Sequence, residues 1–120
     1  MKTRQPNILY IMCDQFRADI MGCAGGPAKT PNLDALAAQG VRYSDCSTVS
    51  PLCVPARVNM MLGRYPHDTN VWNNAECVMS PEAPMWPKAI LKAGYATCLI
   101  GKSHLHTDLG DMVAREYLVH

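Results

Sequence analysis

Cys53 stands between Pro51 and Pro55, with Arg57 four residues on, and Arg64 and His67 follow a short apolar run. The two prolines restrict the backbone on either side of the thiol. Pro55 also opens a helix over residues 55–63 that Gly63 closes. The free N–H groups of that helix's first turn face Cys53 and favour an anion there. Arg57, one turn in, adds a forked donor set suited to a tetrahedral oxyanion. Local chemistry leaves two readings open: a loop cysteine beside a capping turn, or a nucleophile at a helix start, a place also used in thiol catalysis.

Three other groups fall where ligands gather. Asp14 follows directly on the apolar run "NILYIMC" at residues 7–13, and Lys102 and His104 follow the run "YATCLI" at 95–100. Taken singly, Asp14 caps a strand end, Lys102 is a solvated loop lysine and His104 a turn histidine. Placed beyond strand ends together with Cys53, they read as parts of one site. His67 suits a structural turn in "RYPH" at least as well as a pocket wall, His106 and His120 carry no assignment, and the eight methionines are core filler.

The elements that position these groups are legible in outline. Residues 7–13 are apolar without alternation, as in a strand buried on both faces of a parallel sheet. "TPNLDALAAQG" at 30–40 reads as a helix, with Thr30 as N-cap, Pro31 first, Leu33, Leu36 and Ala37 on one face and Gly40 as the stop. Residues 41–49 form a short strand or extended segment, and an Asn- and Pro-rich loop runs through 66–85. Pro87 then opens a helix that Gly94 closes, Tyr95–Ile100 form a strand, and "DMVAREYLVH" at 111–120 ends the chain as a helix. Alternating strands and helices predict an α/β fold, a mostly parallel sheet sandwiched by helices with right-handed crossovers. Ligands in such folds collect beyond the carboxyl ends of the strands. Asp14, Lys102 and His104 are therefore expected at one sheet edge.

Composition narrows the classes. With 120 residues, a formal net charge of +1 and 48% hydrophobic residues, the chain can build one small core and shows no clustered Lys/Arg surface for nucleic acid or membrane. No apolar run is long enough to span a bilayer. The stretch after the basic N-terminus, Ile8–Cys13, is too short for a signal peptide, ends in Asp14 and lacks a small-residue cleavage site. That predicts a cytoplasmic chain, or a periplasmic or secreted one whose leader has been removed. None of the six cysteines forms a C-x-x-C pair, so zinc-ribbon and thioredoxin readings lose their signal. A disulfide framework does not suit so apolar a chain, and Cys13 and Cys98, inside predicted strands, read as small core residues.

Cys53-Val54-Pro55-Ala56-Arg57, followed by Gly63-Arg64, resembles the C-x-P-x-R signature of the type I sulfatases. "PNILYIMCDQ", "KTPNLDALAAQGVRY", "GRYPH" and "GYATCLIGKSH" resemble successive N-terminal blocks of that family, in order, from about Pro6 to His104. Asn70 stands where the family often has Gly, a swap that a left-handed residue tolerates. The resemblance implies an alkaline-phosphatase/sulfatase-like fold, present only as its N-terminal portion, with residues 1–120 an incomplete part of a sulfatase catalytic domain.

It also implies a mechanism. Cys53 would be oxidised to formylglycine by a formylglycine-generating or sulfatase-maturing enzyme. One hydroxyl of the hydrated aldehyde would attack sulfur to form a covalent sulfate ester, and the other, on deprotonation, would expel sulfate. The resemblance assigns a divalent metal, calcium first with magnesium or manganese as alternatives, to Asp14, Gln15 and the modified Cys53. Arg57 would steady the modified residue, Lys102 would contact the transferred group and the diol, and His104 would take the second hydroxyl's proton. The substrate would be a sulfate ester of a small molecule or saccharide. Hydrolysis of a phosphonate monoester or phosphodiester by the same modified cysteine is the alternative within the superfamily. A fragment whose Cys53 stays a thiol is the alternative outside it. The 120-residue piece alone is expected to be inactive.

Overall fold

Residues 53–63 show most directly how the sequence sets the backbone. Helix α2 runs Cys53–Leu62, so Cys53 is its first residue and not a loop residue ahead of it. Pro55 sits inside the first turn, where a missing N–H costs no helical hydrogen bond, and this lets the helix begin two residues earlier than the proline suggested. The far end closes on Gly63, whose φ of 62° lies in the left-handed region. The amides of Gly63 and Arg64 return to the carbonyls of Met60 and Asn59, at 3.3 and 3.1 Å. That pair of bonds satisfies the orphan carbonyls of the last turn.

The computed structural model describes residues 5–75, 80, 82–105 and 115–117. The chain divides into two compact units, Met1–Cys46 and Ser47–His120.

In the second unit, α2 is followed by the short helix α3 (Pro66–Thr69) and by α4 (Trp86–Lys92). Helix α3 lies inside the stretch expected to be loop. Pro66 opens it, and Asn70 ends it with φ 56°, the left-handed conformation expected where the family often has Gly. Helix α4 begins with Trp86 and Pro87, and the left-handed Gly94 (φ 89°) follows its end. Strand β1 (Cys98–Ile100), shorter than the expected 95–100, pairs in parallel with β2 (Arg115–Tyr117), Cys98 opposite Arg115 and Ile100 opposite Tyr117. Residues 115–117 are thus strand where a helix over 111–120 was expected, and the rest of that expected helix lies outside the described residues. Val54 and Val58, one turn apart on α2, are fully buried with Met85 and Leu105, and Met61, Leu62, Val71, Ala83 and Leu99 pack around them. The i, i+4, i+7, i+8 spacing gives α2 one apolar face, and that face carries the core of this unit.

In the first unit, α1 (Pro31–Gln39) matches the expected helix, while the expected strand at 7–13 is absent. Ile8, Leu9 and Ile11 are 59%, 84% and 71% exposed. A run this apolar forms a strand only when neighbours supply ladder partners and cover both faces, and no strand pairs with 7–13 among the described residues. Residues 41–49 likewise form no strand, and the chain turns at Ser44-Asp45. Cys13 and Cys98, expected in a core, are both exposed. Leu33 and Leu36 are exposed on α1 as well.

Thr30 precedes α1 but does not cap its amides with its side chain. Its hydroxyl accepts the Gly22 amide at 2.9 Å and donates to Asp34 Oδ1 at 2.8 Å, while Asp34 Oδ1 also accepts the Cys23 amide at 2.8 Å. The pair thus pins the 3-10 turn Gly22–Ala24 to the start of α1. Hydrogen bonds from the Thr30 hydroxyl, and then from the Cys23 amide, hold the Asp34 carboxyl below its ordinary range. A lowered folded-state value means that this contribution is fully present above the ordinary carboxylate range and fades as pH falls through the lowered one. The protection factor of the Cys23 amide should therefore fall as pH drops to the acid side of the ordinary carboxylate range, and Asp34→Asn should flatten that dependence. Thr30→Val should speed exchange at Gly22 on the order of fivefold at neutral pH.

Candidate active site

The first turn of α2 has no local side-chain cap, because the residue before it is Leu52. The Val54 amide is satisfied instead by Asn74, whose side-chain oxygen accepts it at 3.0 Å from twenty residues away. Cys53 is half-buried immediately before this capped amide. One turn on, Arg57 is only 7% exposed. A buried guanidinium needs partners to offset its lost hydration, and one of them is the backbone carbonyl of Lys102, which accepts from Nη1 at 2.8 Å.

Lys102 also approaches Cys53 from its other end. Its Nζ donates to Cys53 Sγ at 3.7 Å, so the residue after β1 touches the first turn of α2 through both main chain and side chain. The loop that delivers it leaves β1 through Gly101 (φ 95°) and turns again at His104 (φ 52°) before Leu105 enters the core. His104 is half-buried, with its Nδ1 shut off from solvent. The structure therefore brings Cys53, Arg57 and Lys102 together and carries His104 on the same short loop. A cation on the thiol at a helix N-terminus, with a second one turn on bonded to the same loop, forms a setting for an oxyanion.

Asp14 and Gln15 belong to the first unit, in a turn that follows residues 7–13. Both are exposed, and Gln15 is held at φ 53°. Their adjacent oxygen donors fit a hard divalent cation, which needs six to eight oxygens in the case of calcium. Among the described residues, no group of three or more His, Cys, Asp and Glu side chains gathers, so these two would be part of a larger set. Gln15, Asn70 and His104 are the non-glycine residues with positive φ among those described. Asn70 has a local reason, as the end of α3. The other two are expected site residues, and strained backbone of this kind persists where a site over-determines it.

Outside the expected set, His67 stacks on Tyr65 with ring centroids 5.7 Å apart and lies 3.5 Å from Asp68, which agrees with a structural turn. The sequence reasoning missed Asn59, Thr69 and Asn74. Asn59 left a readable trace as an amide between apolar neighbours in mid-helix. Asn74 left none, because its bond is long-range.

Residues 6–113 match the sulfatase family model. The chain belongs to the sulfatase family. This sulfatase chain is 43% identical over 103 residues to the ulvan-active sulfatase of Formosa agariphila, covering 84% of this chain and 20% of that protein. It is 42% identical over 107 residues to the choline-sulfatase of Rhizobium meliloti, covering 87% of this chain and 20% of that protein. Among solved structures it superposes on the phosphonate monoester hydrolase of Agrobacterium radiobacter with a TM-score of 0.85 at 26% identity, over 97% of this chain and 26% of that one. A protein solved with its substrate D-glucosamine-2-N,6-O-disulfate gives 0.81 at 34% identity, over 88% of this chain and 21% of that one. The chain thus spans about a fifth of the length of its curated relatives, and it takes the sulfatase, alkaline-phosphatase-like fold as a fragment.

If Asn74 caps α2, Asn74→Ala should lower stability by about 1 kcal/mol. Asn74→Asp, which keeps the acceptor, should retain most of it. Urea midpoints of the full-length protein check both.

Proposed function

We propose that this stretch carries the nucleophile of a sulfuric-ester hydrolase, with Cys53 oxidised to formylglycine. The observation that carries the reading is Lys102, bonded at once to the Cys53 sulfur and to buried Arg57, in a chain of the sulfatase family. The modified residue would supply a geminal diol, one hydroxyl to attack sulfur and one whose deprotonation releases sulfate. Arg57, fixed against the Lys102 carbonyl, holds positive charge beside residue 53 and orients the reacting group. The Lys102 ammonium, already on the atom that the oxidation replaces, donates to the transferred oxyanion. His104 takes the proton of the second hydroxyl. Asp14 and Gln15 would hold a divalent cation, calcium before magnesium or manganese, which neutralises ester oxygens when bound. In the full-length protein, β1 and β2 would be neighbouring strands of a mostly parallel sheet between helices, and residues 7–13 a further strand of it.

The second reading, hydrolysis of a phosphonate monoester or phosphodiester, is supported by the likeness to the Agrobacterium phosphonate monoester hydrolase. Parallel assays of the full-length protein with an aryl sulfate and an aryl phosphonate ester rank the two.

After aerobic co-expression with a formylglycine-generating enzyme, mass spectrometry of the tryptic peptide Tyr43–Arg57 should show the aldehyde in place of the thiol. A persistent thiol, with a control sulfatase converted in the same cells, would remove the proposal. In the full-length protein, Lys102→Ala and His104→Ala should each lower kcat by about 10²- to 10³-fold, read from kcat per aldehyde-bearing site. Purified residues 1–120 should show little or no turnover of either ester.

A further inference from the structure

Asn59 is 1% exposed, and with Arg57 it is one of two buried polar side chains among the described residues. A buried mid-helix amide is unfavourable unless its polar atoms are satisfied. Here Nδ2 donates to the Pro55 carbonyl at 2.7 Å, and Oδ1 accepts the Thr69 hydroxyl at 2.6 Å. The carboxamide cannot be reversed, since its oxygen would then face a carbonyl. The Thr69 hydroxyl has one proton and three oxygens in reach. The Tyr65 and Pro66 carbonyls lie at 3.4 and 3.5 Å, so the proton goes to Asn59. The Asn59 backbone carbonyl meanwhile accepts the Arg64 amide that closes the end of α2. One residue thus ties the Cys53 turn, the end of α2 and the last residue of α3 to one another.

We infer that Asn59 and Thr69 form a positioning clamp for the nucleophile turn. It rests on the function proposed above only in what the turn is positioned for. The clamp touches neither residue 53 nor any reacting atom. It acts through the Pro55 carbonyl, which lies between Cys53 and Arg57 in that turn, and through α3, which serves as its anchor. A loosened clamp lets the first turn shift against the Lys102 loop, and misplacement on that scale is costly to catalysis while binding is largely spared.

The test uses the full-length protein matured with a formylglycine-generating enzyme, with Thr69→Val, Thr69→Ser and Asn59→Ala compared at a temperature where each is folded by circular dichroism. In Thr69→Val, kcat per aldehyde-bearing site should fall on the order of tenfold with KM within about twofold, and exchange of the Ala56 and Arg57 amides should quicken. Thr69→Ser, which keeps the hydroxyl, should restore both readouts, and Asn59→Ala should match Thr69→Val wherever it folds. Unchanged amide exchange or unchanged kcat in folded Thr69→Val, or a Thr69→Ser protein equally impaired, overturns the clamp. If the matured wild-type protein hydrolyses neither ester, the proposed function fails, and the exchange measurement alone still decides the clamp.

Discussion

The geometry of the candidate site hangs on the bond between the Arg57 guanidinium and the Lys102 carbonyl. A buried guanidinium is tolerated only where its donors are met. One of its acceptors here is a neutral main-chain carbonyl. The bond therefore does two things at once. It sews the loop after β1 to the first turn of α2, and through a neutral acceptor it meets one of the guanidinium's donors. Because the acceptor belongs to Lys102, the same bond fixes the root of the side chain that reaches the Cys53 sulfur. The bond thereby couples the position of the Arg57 guanidinium to the main chain of Lys102.

The remaining support of the turn is built from amides. Asn74 meets the Val54 amide that Leu52 cannot, and Asn59 holds the Pro55 carbonyl from inside. Both bonds stay within the three residues that follow Cys53. The apolar face of α2, Val54 and Val58, gives the helix its burial but not its rotation, since valines pack without directional bonds. Rotation about the helix axis is what decides where a first-turn side chain points, and the hydrogen-bonded residues Arg57 and Asn59 supply it.

What was readable in the sequence was local. Thr30-Pro31 and Gly40 bracket α1, Gly63 ends α2, and Pro87 marks the start of α4 to within a residue, because caps and prolines act on the backbone beside them. In this structure residues 7–13 form no strand and Cys13 and Cys98 are exposed, for a shared reason. Strand formation and burial depend on partners that a sequence window does not contain. Helix α3 was missed because four residues among prolines and asparagines carry no periodicity. In the site, the spacing of Cys53 and Arg57 and the spelling after β1 pointed to the residues that meet, whereas Asn74 and Thr69 act across distances that no local pattern encodes.

In the proposed function, Arg57 and Lys102 would attract a tetrahedral oxyanion but would not choose among such anions. A sulfate monoester, a phosphonate monoester and a phosphodiester each present one negative charge on a tetrahedral centre, so two fixed cations bind them through the same interactions. Discrimination must come from groups that sense what differs: the substituent on phosphorus, which replaces an oxygen of sulfate, and the leaving group. This is consistent with the chain's likeness both to sulfatases named for unlike substrates and to a phosphonate monoester hydrolase. In this chain, discrimination is therefore expected from groups around the first turn of α2, while the Arg57–Lys102 bond and the Asn59 and Asn74 amides hold that turn in place.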